Sequence, residues 1–392
     1  MEKVRVGIIG IGNMGTKHAK NIYSGNVPNM ELAAICDISK ERREFAEKNY
    51  SDVLFFDDAT EMIKSGKIDA IIIAIPHYFH PQYAICGFEN GLHVLCEKPA
   101  GVYTKQVIEM NEAAKKANRV FSMMYNQRTN PMYLKLRELV KSGELGKIKR
   151  VNWIITNWYR CQAYHDSATW RSTWKDEGGG TLINQNPHQL DLWQWMFGMP
   201  DKIMSHVSYG KYYDIETEDD VTAYMHYDNG MTGVYITSTG EWPGTNRLEV
   251  ACDMGKIVIE DDEMKFFRNT VSEREFNKNN NTKPFGHPEV WECKIPLQGG
   301  AGEQHVGILK NFTNAILNNE PLLAPGEEGI LGLTISNAIH LSSWKGEWAD
   351  VNNFPHDEFY DLLEEKINNS TYIKKTVKSE VQDLEGTYNV KK

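Results

Sequence analysis

An apolar strand running straight into a glycine-spaced turn constrains this chain more than any other feature. Val4–Ile9 reads as a buried strand, and Gly10-Ile11-Gly12-Asn13-Met14-Gly15 follows it directly and opens a helix over Asn13–Tyr23. The first glycine suits a tight turn, the second a close backbone approach to a pyrophosphate, and the third close helix–strand packing. The start of such a helix offers unpaired N–H groups and a positive dipole end to phosphates. Asp37 ends the second expected strand, 22 residues beyond Gly15. A carboxylate there can accept hydrogen bonds from both ribose hydroxyls of NAD and would repel the extra phosphate of NADP. Arg42 and Arg43 lie just downstream and could hold that phosphate, so NAD is favoured and NADP is the lesser alternative.

The same alternation continues through the first 120 residues. Strands are expected at Glu31–Cys36, Val53–Phe55, Ala70–Ile75, His93–Cys96 and Val120–Met124. Helices are expected at Lys40–Lys48, Thr60–Ser65, His80–Gly91 and Lys105–Ala117. This is the pattern of βαβ units on a parallel sheet, with the apolar Ala70–Ile75 near its centre. After residue 150 strands follow strands. Val221–His226 and Met231–Thr239 flank Asp228-Asn229-Gly230, a strong hairpin signal, and Arg247–Cys252 and Lys256–Glu260 flank Asp253-Met254-Gly255. Val306–Leu317 and Gly329–Leu341 have helical spacing, and Asn277–Lys283 reads as a solvated loop. A length of 392 residues suits two domains. The boundaries expected are 1–125 for a doubly wound parallel (Rossmann) domain and 126–392 for an α+β domain.

Composition narrows the partners. With 43 basic and 53 acidic side chains the formal charge is −10, which disfavours nucleic acid. The longest apolar run, Ala70–Ile75, is far too short to span a bilayer, so no membrane partner is expected. No secretory signal follows Met1, and the six cysteines form no C-x-x-C pair, so a cytoplasmic protein with reduced thiols and no metal is expected.

Two segments carry chemistry. Glu97-Lys98-Pro99 stands at the carboxyl end of an expected strand, where open α/β sheets bind ligands. The second runs from Gly178-Gly179-Gly180 through Asn184 and His188 to Asp191. Continued as a helix to Phe197 with Gly198 as its stop, it would place Asn184, His188, Asp191 and Trp195 on one face. Six of the ten tryptophans (153, 158, 170, 174, 193 and 195) fall within 43 residues, interleaved with Tyr159, Arg160, Tyr164 and Arg171. Trp153 reads as structural, in a strand over Val151–Thr156. Asn157–Lys175 has no clear period and reads as a loop over the crevice. Aromatic faces suit the C–H faces of a pyranose, which favours a carbohydrate substrate held by Tyr159, Trp170 and Arg171.

Together these segments resemble the glucose–fructose oxidoreductase, inositol dehydrogenase and MocA family across nearly the whole chain. The resemblance rests on the glycine fingerprint with Met14, on Ile75-Pro76-His77 with His80, on Glu97-Lys98-Pro99 and on Asn126-x-Arg128. It continues through the triple glycine with Asn184 and His188 and through Glu218-Asp219-Asp220-Val221. It implies a Rossmann domain, a second domain on an open, mainly antiparallel sheet, and a homodimer or homotetramer formed through that sheet. It also implies hydride transfer at a secondary alcohol of a sugar or cyclitol. The cofactor residues it implies are Gly10, Gly12, Asn13, Met14, Gly15, Asp37, Pro76, His77, His80, Glu97, Lys98 and Asn126. The substrate residues are Lys98, Arg128, Tyr159, Trp170, Arg171, Asn184 and His188. The family usually has asparagine where this chain has His77, and aspartate where it has Asn184. Asparagine cannot hold a proton, so Asn184 is expected to orient His188 or to bind a substrate hydroxyl.

The expected reaction places the substrate hydroxyl between Lys98 and His188. Histidine, with an ordinary pKa of about 6.5, suits proton transfer at neutral pH, and lysine at about 10.4 suits polarisation of the oxygen unless burial lowers it. The two roles can exchange. An NAD-dependent glycosidase acting by transient oxidation and elimination is one alternative. A non-catalytic nucleotide-sensing regulator is another, disfavoured because Lys98 and His188 are both present.

Overall fold

The computed structural model describes residues 2–280 and 282–376. Residues 377–392 of the expected second domain, and Asn281 of the expected loop, lie outside them.

The amino-terminal part alternates β1 (Val4–Ile9), α1 (Asn13–Tyr23), β2 (Met30–Cys36), α2 (Lys40–Asn49), β3 (Leu54–Phe56), α3 (Ala59–Lys64), β4 (Ala70–Ile73), α4 (His80–Glu89), β5 (His93–Cys96), α5 (Thr104–Ala117) and β6 (Phe121–Met123). All six strands are parallel, in the order β3-β2-β1-β4-β5-β6. Every residue of β4 is buried, as its unbroken apolar run requires of a strand covered on both faces. The order reverses between β1 and β4, and the crevice outside the carboxyl ends there is where a ligand lies in such sheets.

Beyond α6 (Pro131–Lys141) the chain enters a second sheet with β7 (Ile148–Ile155). Then come α7 (Gln162–His165), α8 (Thr181–Asn184) and α9 (Pro187–Phe197), followed by β8 (Lys202–Tyr209), β9 (Glu218–His226), β10 (Thr232–Ser238), β11 (Asn246–Cys252), β12 (Gly255–Glu260) and β13 (Glu263–Asn269). Next are α10 (Glu273–Asn279), β14 (Val290–Ile295), α11 (Gln304–Asn318), α12 (Gly329–Lys345), β15 (Ala349–Asp350) and α13 (His356–Asn369). The nine-stranded sheet runs β14-β13-β12-β11-β7-β10-β9-β8-β15 and is antiparallel except for the β7–β10 pair. The Asn-Gly hairpin forms as its residues dictate: Gly230 adopts φ +87° and Asn229 Oδ1 accepts from Met231 N at 2.8 Å. The expected 277–283 loop is shorter than its composition suggests. Asn277–Asn279 end α10, whose start the Ser272 side chain caps, and Asn280, Thr282 and Lys283 are the described loop residues outside a helix.

Every residue of α9 is buried, between α12, α6 and the sheet. The approach is close: a Cβ on Gly233 of β10 would lie 2.5 Å from the Trp193 ring. Gly198, at φ +82°, ends the helix where its lack of a side chain predicts. The carboxy-terminal part also closes on the first sheet. Met123 N donates to Ala324 O at 3.0 Å beside β6, and Asn337 of α12 accepts from Thr104 N at 3.2 Å.

Candidate active site

The turn after β1 is a candidate phosphate cradle. A Cβ on Gly10 would meet Ala74 O at 2.4 Å, and one on Gly15 would meet Gly10 O at 1.8 Å, so both glycines are forced by close backbone contact. Gly12 differs, since nothing lies within 4 Å of a Cβ placed there. The open side of the turn is therefore at Gly12, where α1 begins without a side-chain cap and with no acidic residue in its first turn. Asp37 braces the turn: Oδ2 accepts from Ile11 N at 2.8 Å and Oδ1 from Ser39 N at 2.8 Å. Arg43 donates to the Asp37 main-chain oxygen at 2.7 Å, so this arginine stabilises the acidic corner. The residues present fit a dinucleotide: open backbone at Gly12 for phosphate, a carboxylate at the second strand for ribose.

Lys98 follows β5 and crosses the crevice, donating from Nζ to Asn184 O at 2.8 Å. Burial lowers its proton affinity, with Glu97 opposing and Arg171 reinforcing that effect. Glu97 is paired with α1. Its Oε1 lies 2.7 Å from Nε2 of the fully buried His18 on α1, and its Oε2 accepts from Lys98 N at 3.2 Å. Burial pushes this carboxyl up, but the hydrogen bond and charge of His18, with His305 and Lys98, outweigh burial and hold it at about 2. Helix α1 and the lysine are thus tied through one buried pair. Neither His18 nor His305 was legible as functional, although His18 stands one helical turn beyond Gly15, facing β5.

His188 is buried, and its Nδ1 has no hydrogen-bond partner among the described residues. Burial, then the nearby Lys98, lowers its pKa to about 3. The single helix expected from Asn184 to Phe197 is a correction: α8 stops at Asn184 and α9 starts at Pro187. Pro187 supplies no N–H and sits at the first turn, as proline must, so the break falls at Gln185-Asn186. Asn184 consequently does not orient His188. Its Nδ2 donates to Glu177 Oε1 and lies 3.3 Å from the Tyr164 hydroxyl. The triple glycine is gripped by Glu218 at the start of β9, whose oxygens accept from Gly180 N and Leu182 N at 2.8 Å each. Burial lifts Glu218 to about 8 and Glu177 to about 7.

Several expected contacts are directed elsewhere. Arg128 is fully buried, donating from Nε and Nη2 to Asp191 at 2.8 and 2.6 Å and from Nη1 to Glu328 at 2.6 Å and Leu323 O at 3.0 Å. It clamps three segments, and its guanidinium is not offered to a substrate; Asp191 and Trp195, on whose ring Arg128 stacks, belong to the same clamp. His80 has both ring nitrogens 2.7 Å from carbonyl oxygens, of Ile75 and Pro99, and so joins the turns after β4 and β5. Asn126 donates to Gln304 Oε1 at 2.6 Å, leaving its buried Oδ1 without a partner among the described residues. His77, following Pro76, lies 3.3 Å from Glu177 O, with its ring 5.8 Å from Trp170. Arg171 stacks between Tyr164 and Trp170, 4.4 and 4.5 Å from their ring centres, and donates to the Tyr164 hydroxyl at 2.6 Å. Tyr159 is exposed, packed on Trp242. Of the six clustered tryptophans, 153, 174, 193 and 195 are core residues, and only 158 and 170 are partly exposed.

Comparison with known proteins agrees with this layout. Residues 4–125 match the oxidoreductase family model with an NAD-binding Rossmann fold, and residues 133–258 match the GFO/IDH/MocA C-terminal domain. The D-glucoside 3-dehydrogenase of Escherichia coli is 30% identical over 199 residues, 50% of this chain and 55% of that protein. The chain therefore matches about half the length of that relative. The myo-inositol 2-dehydrogenase of Thermotoga maritima is 24% identical over 86% of this chain and 96% of its own length. In fold, the WlbA dehydrogenase of Chromobacterium violaceum, solved with NADH and UDP-GlcNAcA, superposes with a TM-score of 0.77 at 22% identity, covering 89% of this chain and 96% of that one. Levoglucosan dehydrogenase with NADH and levoglucosan gives 0.74 at 21% identity, covering 89% and 99%.

Proposed function

Because the chain belongs to the GFO/IDH/MocA oxidoreductase family, we propose that it transfers hydride between NAD and a secondary alcohol of a sugar, glycoside or cyclitol. The observation that carries this reading is the half-buried Lys98, set at the carboxyl end of β5 and bonded across the crevice to Asn184, with His188 on the next helix. The relatives that act on glucosides and inositols support the substrate class.

NAD, when bound, supplies the hydride acceptor. Gly10, Gly12, Asn13, Met14 and Gly15 would hold its phosphates and Asp37 its ribose, with Pro76, His77 and Asn126 bordering the crevice. On this reading Lys98 Nζ takes the hydroxyl proton on oxidation and returns it on reduction. That exchanges the roles expected from ordinary pKa values. Burial lowers the proton affinity of the lysine and holds the imidazole at about 3, too weak a base near neutrality, so His188 acts as a neutral hydrogen-bonding partner of the substrate oxygen. Trp170 and Arg171 form the sugar-facing wall. We read the protein as a cytoplasmic homodimer or homotetramer. Its six cysteines are unpaired, and the edge strand β14 exposes Val290 and Trp291. No helix among the described residues is long and apolar enough to cross a membrane.

The reading is tested by following NAD reduction against matched panels of glycosides, inositols and 2-hydroxy acids. Turnover confined to the polyols is expected. Turnover confined to hydroxy acids, or NAD left unreduced by every compound, would overturn it.

A further inference from the structure

Asn184 is the hub of the substrate wall. Its main-chain oxygen receives Lys98 Nζ at 2.8 Å, while its Nδ2 faces Glu177 Oε1 and the Tyr164 hydroxyl. That hydroxyl also receives Arg171 Nη1 at 2.6 Å and Gln185 Nε2 at 3.1 Å. An ionised carboxylate can only accept hydrogen bonds, so Glu177 decides which end of the Asn184 amide turns toward it. The Nδ2 end is drawn in, and Oδ1 is left without a protein donor among the described residues. Glu177 is itself immobilised: it is buried, its Oε2 accepts from Ser172 N at 2.5 Å, and its main-chain oxygen lies 3.3 Å from His77 Nδ1.

The structure assigns Glu177 as a positioning residue for the reaction: it locks the Asn184 amide so that Oδ1 is offered to a substrate hydroxyl, and through Asn184 it seats Lys98 Nζ. This inference rests on the dehydrogenase reading above. A protonated Glu177 can donate instead, which frees the amide to turn and to offer Nδ2. The wall then presents a donor suited to a ketone in place of an acceptor suited to an alcohol. The charged groups acting on Glu177 are Arg171 of the aromatic loop and Lys374 of the carboxy-terminal segment. Lys98 and the buried Glu218 also feel its charge. Burial outweighs the two cations and brings the carboxyl to about 7, where both forms are populated near neutrality.

The test compares wild type, Glu177→Gln and the double variant Glu177→Gln/Asn184→Asp, which restores an amide–carboxylate pair with its polarity reversed. For alcohol oxidation, wild-type kcat/KM is expected to fall below pH about 7. Glu177→Gln should change that limb, leaving the part set by the base Lys98, and lose about tenfold in kcat/KM, with NADH affinity unchanged, and the double variant should recover at least about threefold over the single one. A single variant with the wild-type pH profile, or a double variant no better than the single, would overturn the proposal. A second readout needs no substrate. In protein labelled at asparagine, the Asn184 side-chain amide resonance should titrate in wild type and not in Glu177→Gln. An Asn184 resonance indifferent to pH in both proteins overturns the proposal independently of whether any sugar is turned over.

Discussion

Replacing Lys98 by Met removes the amine proposed to carry the proton while keeping most of the side chain's bulk against the crevice wall. Turnover should fall by about 10²–10⁴-fold with NADH affinity retained, as measured by steady-state kinetics and cofactor fluorescence. A Lys98→Met protein with wild-type turnover would remove this residue from the reaction. Glu218 carries a second prediction. Its folded pKa is raised from 4.5 to about 8, so the protonated form stabilises the fold at low pH and that stability is lost as pH rises through about 8. His165, His188, His305 and His340, each held at about 3, act in the opposite sense, losing stability as pH falls below 6.5, and leave the higher window clear. Unfolding free energy should therefore fall by about 2 kcal/mol from pH 6.5 to 8 through Glu218 alone, with Glu177 adding in the same direction. Glu218→Gln should flatten that slope in denaturant titrations, and an unchanged slope would contradict it. At this scale the sequence was legible where a residue's role is set by its chain neighbours. Gly10, Gly12, Gly15 and Lys98 stand beside strand ends that betray them. Glu177 and His18 were not legible, because their roles come from Asn184 and Glu97, residues that only the tertiary fold brings near.

The glycine turn and the α8–α9 joint show what element packing adds. Gly15→Ala places a Cβ 1.8 Å from Gly10 O and should abolish folding or shift α1 bodily. Gly12→Ala enters open space at φ −68°. It should leave thermal stability within about 0.5 kcal/mol of wild type while weakening NAD binding about tenfold or more. Equal loss of stability in both variants, measured by calorimetry, would show that Gly12 is not the open side of a phosphate site. Asp191→Ala strips the buried Arg128 of its bidentate partner and should cost about 3–5 kcal/mol in chemical denaturation. A cost below about 1 kcal/mol would mean that Glu328 and the Leu323 carbonyl satisfy the guanidinium by themselves. The strands of the parallel sheet, β7 and β9–β12 of the second sheet, and the start of α1 were legible from apolar runs and turn residues, whereas β8, β13, β14 and β15 were not read. The helix joint was not. Helical spacing carries on across Gln185-Asn186, and only the proline after them marks the stop, which shifts Asn184 from the face of His188 to the side of Glu177.

For the molecule as a whole, the proposed site sets a cofactor cradle on the parallel sheet against a wall formed by the helices lying on the antiparallel sheet. Ordinary composition and a net charge of −10 fixed neither arrangement. What placed the wall over the cradle is the long-range contact of Lys98 with Asn184, joined by the buried Glu97–His18 pair and by the α12 contacts to α5. The pairing is one of distant segments, which no local pattern reports. Incubating the enzyme with NAD and a glycoside or inositol deuterated at its carbinol carbons, then weighing the dinucleotide by mass spectrometry, tests that arrangement directly. A dinucleotide heavier by one deuterium with the wild-type protein, and unlabelled with Lys98→Met, is the outcome expected of hydride transfer across this crevice. Sugar consumed while the dinucleotide remains unlabelled in both proteins would contradict it.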